Sequence, residues 1–328
     1  MIQKLSFSFS FICLGLMASV ATAQAQTAST YPNKPVKVVV GFAPGGAADY
    51  VARTISDSLG KSLGQPVIVE NKAGAGSSIA AEAVSKSAPD GYTVLIASPS
   101  SISVNPALNP KLGYAPKDLF PVTKITTSPL VIAANPNAGI GSLLELVAKA
   151  KKSPGTINYA TSGNGSAPHL GAALFAQVTG IEMTHIPFRG GAPAIQSVVA
   201  GDTQLTFGTP PSVLPMVQAG RLKGLGVSTK EKSALVPGLP GSIEAGVPDY
   251  AIEFWYGIFV PNGTPPAVVK KIFDAAQFAM AQPSVKAALA REGTDVDVSK
   301  SPEQFASFLN EDSKFWVKLV KSAGVKLD

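Results

Sequence analysis

Residues 36–63 read VKVVVGFAPGGAADYVARTISDSLGKSL, and this stretch decides the fold. Its first seven residues are almost wholly apolar, as expected for a strand covered on both faces in a parallel sheet. Ala43, Pro44, Gly45 and Gly46 break the run. From Ala47 onward, Val51, Ile55, Leu59 and Leu63 recur every four residues, which gives a helix one apolar face. A strand, a glycine-rich turn and a helix in direct succession form the opening of a β-α-β unit, the building block of a parallel sheet.

The alternation continues outward from there. Strands are predicted at 67–70 and 92–97 with a helix at 77–87 between them, and right-handed crossovers then give a parallel sheet with helices on both faces. The pattern restarts with strands at 130–134, 157–160, 182–186 and 203–207, separated by helices at 143–152, 168–179 and 193–200. A late strand at 253–260 precedes helices at 265–281 and 302–322 and carries the chain back to the first unit. The fold class is therefore α/β and bilobal, with two open sheets joined by two hinge crossings. Lobe 1 comprises residues 31–128 and 252–328, and lobe 2 comprises 129–251.

Residues 1–25 do not belong to this fold. One cation, Lys4, precedes a mostly apolar stretch, and Ala21-Thr22-Ala23 and Ala23-Gln24-Ala25 offer A-x-A cleavage sites, the pattern of a secretory signal peptide. The serines within that stretch and its short length argue against a membrane anchor. Ile12 precedes the single cysteine, Cys13, so a lipoprotein signal is not indicated and the mature chain is expected to have no cysteine. With only His169 and His185 besides, neither a cysteine-based nor a histidine-rich metal centre is expected, and no cofactor is predicted. Loss of Lys4 leaves 26 cations against 21 anions, a net charge of +5. The lysines are scattered, and the densest group (Lys149, Lys151, Lys152) suits a solvated helix face, so no nucleic-acid partner is expected. No later segment reaches the length of a membrane span, and a soluble, exported monomer is the expectation.

The chemistry is expected in the strand-to-helix turns, because ligands of open α/β sheets bind beyond the carboxyl ends of the strands. In the turn from Phe42 through Pro44, Gly45, Gly46 and Ala47 to Asp49, paired glycines let the backbone approach a ligand, and the first-turn amides of the helix point outward. The turn from Ser162 through Gly163, Asn164, Gly165 and Ser166 to His169 repeats that arrangement with hydroxyls added. Helix N-termini of this kind bind carboxylates, phosphates or sulfates without a cationic side chain. Ser98 and Ser100 end the third strand, Phe188, Arg189 and Gly190 follow the strand at 182–186, and Thr209 follows the strand at 203–207; all are candidate ligand contacts. Several residues carry a plainer alternative. Asp49 either complements the helix dipole and turn amides or meets the ligand, His169 is either a structural hydrogen bonder or a contact, and His185 is expected to pack. Arg189 pairs with an anion or lies on the surface. Trp255 and Tyr256 belong either to the core and hinge or to an aromatic wall of the cleft.

Enzyme signatures are absent from the sequence. There is no G-x-S-x-G elbow, no H-E-x-x-H and no complete P-loop, and Gly74-Ala75-Gly76-Ser77-Ser78-Ile79 lacks the end of a dinucleotide fingerprint. The chain resembles the extracytoplasmic solute receptors of tripartite tricarboxylate transporters, the Bug or TctC family. The resemblance runs from Tyr31-Pro32 to the C-terminus. It rests on Tyr31-Pro32-x-Lys34-Pro35-Val36, Pro44-Gly45-Gly46-x-x-Asp49-x-x-Ala52-Arg53, Glu70-Asn71-Lys72-x-Gly74-Ala75-Gly76 and Ala88-Pro89-Asp90-Gly91-Tyr92-Thr93. It also rests on Pro187-Phe188-Arg189-Gly190 and on Trp255-Tyr256-Gly257 leading to Thr264-Pro265.

That resemblance implies a periplasmic Venus-flytrap receptor without catalytic activity, which delivers a small organic carboxylate to a separate membrane permease. It further implies that backbone amides and waters of the 42–49 and 162–169 turns hold the carboxylate, with the 187–190 turn lining the cleft. Phe188 and Arg189 stand where the family often has Tyr and Lys, and the 98–101 turn varies among members, so ligand identity stays open among citrate, dicarboxylates, amino acids and aromatic acids. Two rival readings are an exported enzyme acting on a carboxylated small molecule and a sensory receptor for a membrane kinase.

Overall fold

The computed structural model describes residues 31–322; the signal peptide expected at residues 1–25, with Cys13, lies outside the described residues. The chain begins as predicted. Strand β1 (Val36–Val40) leads through a turn into α1 (Ala47–Leu63), then β2 (Val67–Asn71), α2 (Ser78–Ser85) and β3 (Thr93–Ala97). β1 pairs in parallel with β2 on one side and β3 on the other, in registers such as Val38↔Val69 and Val38↔Val94. A tight helical turn at Ser100–Val104 runs into the short α3 (Asn105–Leu108).

The sequence reading missed β4 (Leu119–Pro129), which completes this sheet. Its sequence, LFPVTKITTSP, holds a lysine, three threonines and two prolines, so it has no apolar run; yet Thr123, Thr126 and Ser128 are buried within the sheet. β10 (Glu253–Pro261) inserts antiparallel between β3 and β4, and β11 (Asp295–Val296) adds an edge, giving the order β11-β4-β10-β3-β1-β2. The sheet is thus mixed, with a parallel half that is the predicted unit.

The second sheet has the order β7-β6-β8-β5-β9. It contains β5 (Val131–Ala134), β6 (Asn158–Thr161), β7 (Thr184–Pro187), β8 (Leu205–Gly208) and β9 (Lys223–Val227). β6, β7 and β8 are parallel, while β5 runs antiparallel to β8 and β9. Helices α4 (Leu143–Lys152), α5 (Ala167–Thr179), α6 (Gly191–Ala200) and α7 (Pro210–Gln218) connect these strands. α7 and β9 also escaped the sequence reading: PPSVLPMVQ carries three prolines, one of them inside the helix, and KGLGV is split by glycines. Chain order then gives β10, α8 (Pro266–Ala281), α9 (Pro283–Arg291), β11 and α10 (Pro302–Ser322).

Alternation along the strands divides the core. Val38, Val40, Val94, Ile96 and Ile258 pack on the side of α1 and α8, whereas Val39, Leu95, Ala97 and Phe259 face Ala80, Val84 and Phe305 of α2 and α10. In the second sheet, Ile132 and Phe207 meet Leu170 and Phe175 of α5, and Val131 and Ala160 meet Ile195 and Val198 of α6. Both sheets are therefore covered on both faces, and the chain has the bilobal α/β fold.

The chain passes between sheets twice, at Leu130 and through residues 228–252, and Ser228 pins the crossings together. Its Oγ accepts from the Leu130 N–H at 2.7 Å and donates to the Ile252 carbonyl, while its own N–H and C=O bond Leu130 and Ile252.

α10 is fixed by a half-buried carboxylate. Asp312 accepts from the indole N–H of Trp255 at 2.8 Å and of Trp316 at 3.0 Å. Burial pushes its pKa up to about 6, against the lowering effect of the two indoles and Lys124. The native state therefore binds more protons here than the unfolded chain between the two pKa values, and this group makes stability fall as pH rises from about 4 to 6. Melting temperatures measured across that range should show a downward component with rising pH that Asp312→Asn removes; the same slope in the variant would assign it elsewhere.

Candidate functional site

β1 ends at Val40 and α1 begins at Ala47, so Gly41 to Gly46 form the intervening turn. Gly46, at φ −88° and ψ 172°, is the N-cap of α1 and leaves the N–H groups of the first helical turn without acceptors in the helix. Asp49 holds this turn together. Its carboxylate accepts from the Gly45 N–H at 3.0 Å, from Arg53 Nε at 2.9 and 3.0 Å, and from Asn71 Nδ2 at 2.9 Å. Asn71 Nδ2 also donates to the Phe42 carbonyl at 3.0 Å. Burial alone raises the Asp49 pKa, but the bonds from Arg53, Gly45 and Asn71 outweigh it and hold the carboxyl below its ordinary value. Of the two sequence alternatives for Asp49, the structure places it as the clamp of the turn.

The matching turn of the second sheet is held by a histidine. His169 Nδ1 accepts from the Gly165 N–H at 3.1 Å, and its ring stacks on His185 with centroids 3.8 Å apart. His185 Nε2 lies 2.6 Å from Thr161 Oγ1, which itself accepts from the Gly163 N–H at 3.2 Å. The two histidines of the chain thus brace the 162–166 loop from behind. His185, expected to pack, has this added role.

The two turns face each other across a narrow cleft. Of the residues singled out in the sequence, Phe42, Gly46, Ala47, Ser162 and Thr209 line it directly. Four helices begin at its wall: α1 with Gly46 and Ala47, α5 with Ala167 and Pro168, α6 with Gly191, and α7 with Thr209 and Ser212. Prolines 210 and 211 deprive α7 of its first N–H groups, and the buried Ser212 Oγ takes their place at the cleft. Ile195, Phe254 and Tyr256 supply an apolar side, so Tyr256 belongs to the cleft wall whereas Trp255, on the other face of β10, is core. None of the lining residues carries a charge. The sequence reading missed Gly191, Ile195, Ser212 and Phe254, and the helix it overlooked, α7, accounts for Ser212.

The remaining candidates surround this cavity. The Ala43 N–H donates to the Arg189 carbonyl at 3.2 Å, a direct bond between the two sheets' loops, while the Arg189 side chain is exposed. Gly190, with φ 156°, passes so close to this bond that a β-carbon there would stand 2.8 Å from the Ala43 nitrogen. Phe188 packs into the apolar cluster beneath α6. Gly45 follows Pro44 with φ 78° and gives its N–H to Asp49. Gly76 and Gly165 have φ 57° and 68°; a β-carbon on either would come within 2.3 Å of Asn164 O and 2.2 Å of Asn105 Oδ1, respectively. Loops of both lobes are therefore in contact, and the cleft is closed. Ser98, Ser100 and Ser166 are buried behind these loops.

Two α/β sheets joined by two pinned crossings, with helix N-termini facing one another over a closed cleft, define the bilobal binding-protein class. The family model described as "Tripartite tricarboxylate transporter family receptor" (TctC) matches residues 51–325, and the chain belongs to that family. It is 34% identical over 313 residues to Protein BugT of Bordetella pertussis, covering 95% of this chain and 96% of the relative. Among solved structures, R. palustris Rpa4515 with adipate aligns at 30% identity with a TM-score of 0.87, covering 91% of this chain and all of that one. MatC from Rhodopseudomonas palustris with bound malate aligns at 32% identity and a TM-score of 0.84, covering 88% of this chain and all of the other.

The clamp makes a testable demand. Asp49→Ala leaves the Gly45 N–H, Arg53 and Asn71 without their shared acceptor, and is expected to lower unfolding free energy by about 1–2 kcal/mol, after discounting for the exposed arginine. Because the native Asp49 pKa is depressed, this contribution is present above the unfolded pKa and lost as pH falls. Urea titrations at neutral pH and at successively lower pH should show a gap between wild type and variant that narrows in acid.

Proposed function

We propose that the chain is an exported receptor that captures a small organic carboxylate between its two lobes, residues 31–128 with 252–328 and residues 129–251. It hands the ligand unaltered to a membrane permease of the tripartite tricarboxylate type. One observation carries the reading: four helix N-termini converge on a closed cleft whose lining has no charged side chain. Such a site suits an anion held by amides and hydroxyls, since unbonded N–H groups point at it and each helix dipole places positive potential there.

The magnitudes are sufficient. Each helix end contributes ~0.3–2 kcal/mol to a nearby anion, and each charge-assisted hydrogen bond ~1.5–3 kcal/mol. Four or five such bonds reach the ~8 kcal/mol of a micromolar complex. Family membership supports delivery to a transporter, and the adipate and malate of two solved relatives support a carboxylate ligand. Export to the periplasm accords with the signal-like residues 1–25. Among the described residues, no helix is long and apolar enough to cross a membrane.

In this reading Gly46, Ala47, Ser162, Gly163, Thr209 and Ser212 meet the ligand, and Phe42 and Tyr256 cover its apolar part. A thermal-shift screen against mono-, di- and tricarboxylates tests it: a ligand at 100 times its Kd should stabilise the fold by ~2.7 kcal/mol. Gly46 has ordinary backbone angles, so Gly46→Val perturbs the cleft without straining the turn. Its added methyl groups should weaken the best ligand by at least about tenfold in calorimetry. Unchanged affinity would remove the α1 end from the site, and conversion of the acid into a product would replace the receptor reading with the enzymatic one.

A further inference from the structure

Among the described residues that line the cleft, one buried side-chain polar group has no hydrogen-bond partner: the hydroxyl of Ser212. Ser212 is only 9% exposed. The Thr206 hydroxyl, by contrast, is spent on the Ala160 carbonyl at 3.1 Å. Buried hydroxyls are nearly always paired in folded proteins, so an unpaired one in the wall of a binding cleft points to a partner on the ligand.

α7 differs from its neighbours at the cleft. α1 and α6 present backbone N–H groups, which can only donate. At the start of α7, Pro210 and Pro211 have no N–H, and the Ser212 N–H bonds to the Thr209 carbonyl at 3.0 Å. The end of α7 therefore offers a hydroxyl in place of amides, and a hydroxyl accepts as well as donates.

That hydroxyl sits beside the amides. A β-carbon built on Gly191, the first residue of α6, would stand 2.6 Å from Ser212 Oγ and 3.8 Å from the Gly46 Cα at the start of α1. A β-carbon on Gly46 would in turn lie 3.5 Å from the Gly191 nitrogen. Glycine at both positions keeps this junction open. A carboxylate held by the α1 and α6 amides thus has the Ser212 oxygen within reach of a substituent on its neighbouring carbon.

We propose that Ser212 is a specificity-determining residue: its Oγ accepts a hydrogen bond from a donor on the α-carbon of the bound acid, a hydroxyl or an ammonium group. This rests on the receptor reading above and narrows its ligand class to 2-substituted carboxylates. An ionised carboxylate has no proton to give, so it cannot use the acceptor that Ser212 provides, whereas a 2-hydroxyl or 2-ammonium group can. An acid without such a donor leaves the buried oxygen unpaired. Sites built to pair a ligand's polar group reject the analogue that lacks it.

Calorimetry on the protein compares three parent acids (propionate, succinate and phenylacetate) with the 2-hydroxy and 2-amino derivatives of each: lactate, malate and mandelate; alanine, aspartate and phenylglycine. In the wild type, at least one derivative should bind about tenfold or more tightly than its parent. The arm that does so tells hydroxyl from ammonium. Ser212→Ala should bring that ratio to within about threefold by weakening the derivative, while the parent's affinity changes less than about twofold. An unchanged melting temperature and the retained parent affinity control for folding. Equal weakening of parent and derivative would assign the hydroxyl to the carboxylate and overturn the proposal. A wild type that binds parents as tightly as derivatives overturns it too, as does a best ligand from the wider acid screen with no donor beside its carboxylate. Each of these results leaves the receptor reading standing. Failure of every acid, with no thermal shift, overturns both.

Discussion

Parallel strands have one consequence on which this molecule depends: they all end at the same edge of the sheet, so each following helix begins there. β1 feeds α1 in the first sheet, and β6, β7 and β8 feed α5, α6 and α7 in the second. Turning two such edges towards each other concentrates unbonded amides and the positive ends of four dipoles in one narrow space. The crossings at Leu130 and 228–252 make that confrontation possible, and Ser228 fixes their mutual position with four hydrogen bonds. Binding character here is thus a property of topology before it is a property of any side chain.

This explains the distribution of charge. The cleft lining holds no lysine or arginine, and the buried carboxylate beside it is consumed by its own loop. Asp49 draws Gly45, Arg53 and Asn71 around one carboxylate, and His169 and His185 brace the opposing loop. Side-chain chemistry sets the backbone, and the backbone presents the donors. Loops that meet must then be nearly featureless where they touch, and Gly76, Gly165 and Gly190 occupy the points at which a β-carbon would collide with the opposite loop.

The parts of this arrangement that depend on local pattern were legible beforehand. Buried parallel strands are apolar runs, amphipathic helices repeat at four, and both announce themselves in residues 36–63. The turns at Gly46 and Ser162 followed from the same pattern. β4 did not, because a strand rich in threonine and interrupted by proline gains its order from pairing with β10 along nine positions and not from its own composition. α7 was hidden by three prolines, although proline at a helix's first positions is tolerated and here clears the N–H groups that Ser212 replaces. Burial of Ser77 and Asn105 depends on contacts between residues far apart in sequence, and no spacing rule reaches them.

The same dependence on tertiary pairing bears on how the lobes stay in register behind the cleft. α10 lies over both. In the first lobe it packs on β4, gives Phe305 and Leu309 to the core beneath α2, and bonds Ser103 through Ser313 at 2.7 Å. At its end Ser322 donates to Gln177 of α5, the helix whose other end opens onto the cleft. Trp316 sits in the core that joins the two sheets, fixed by the Asp312 carboxylate that also holds Trp255 of β10. A helix anchored on the turn after β3 at one point and on α5 at another resists any movement that separates those two points.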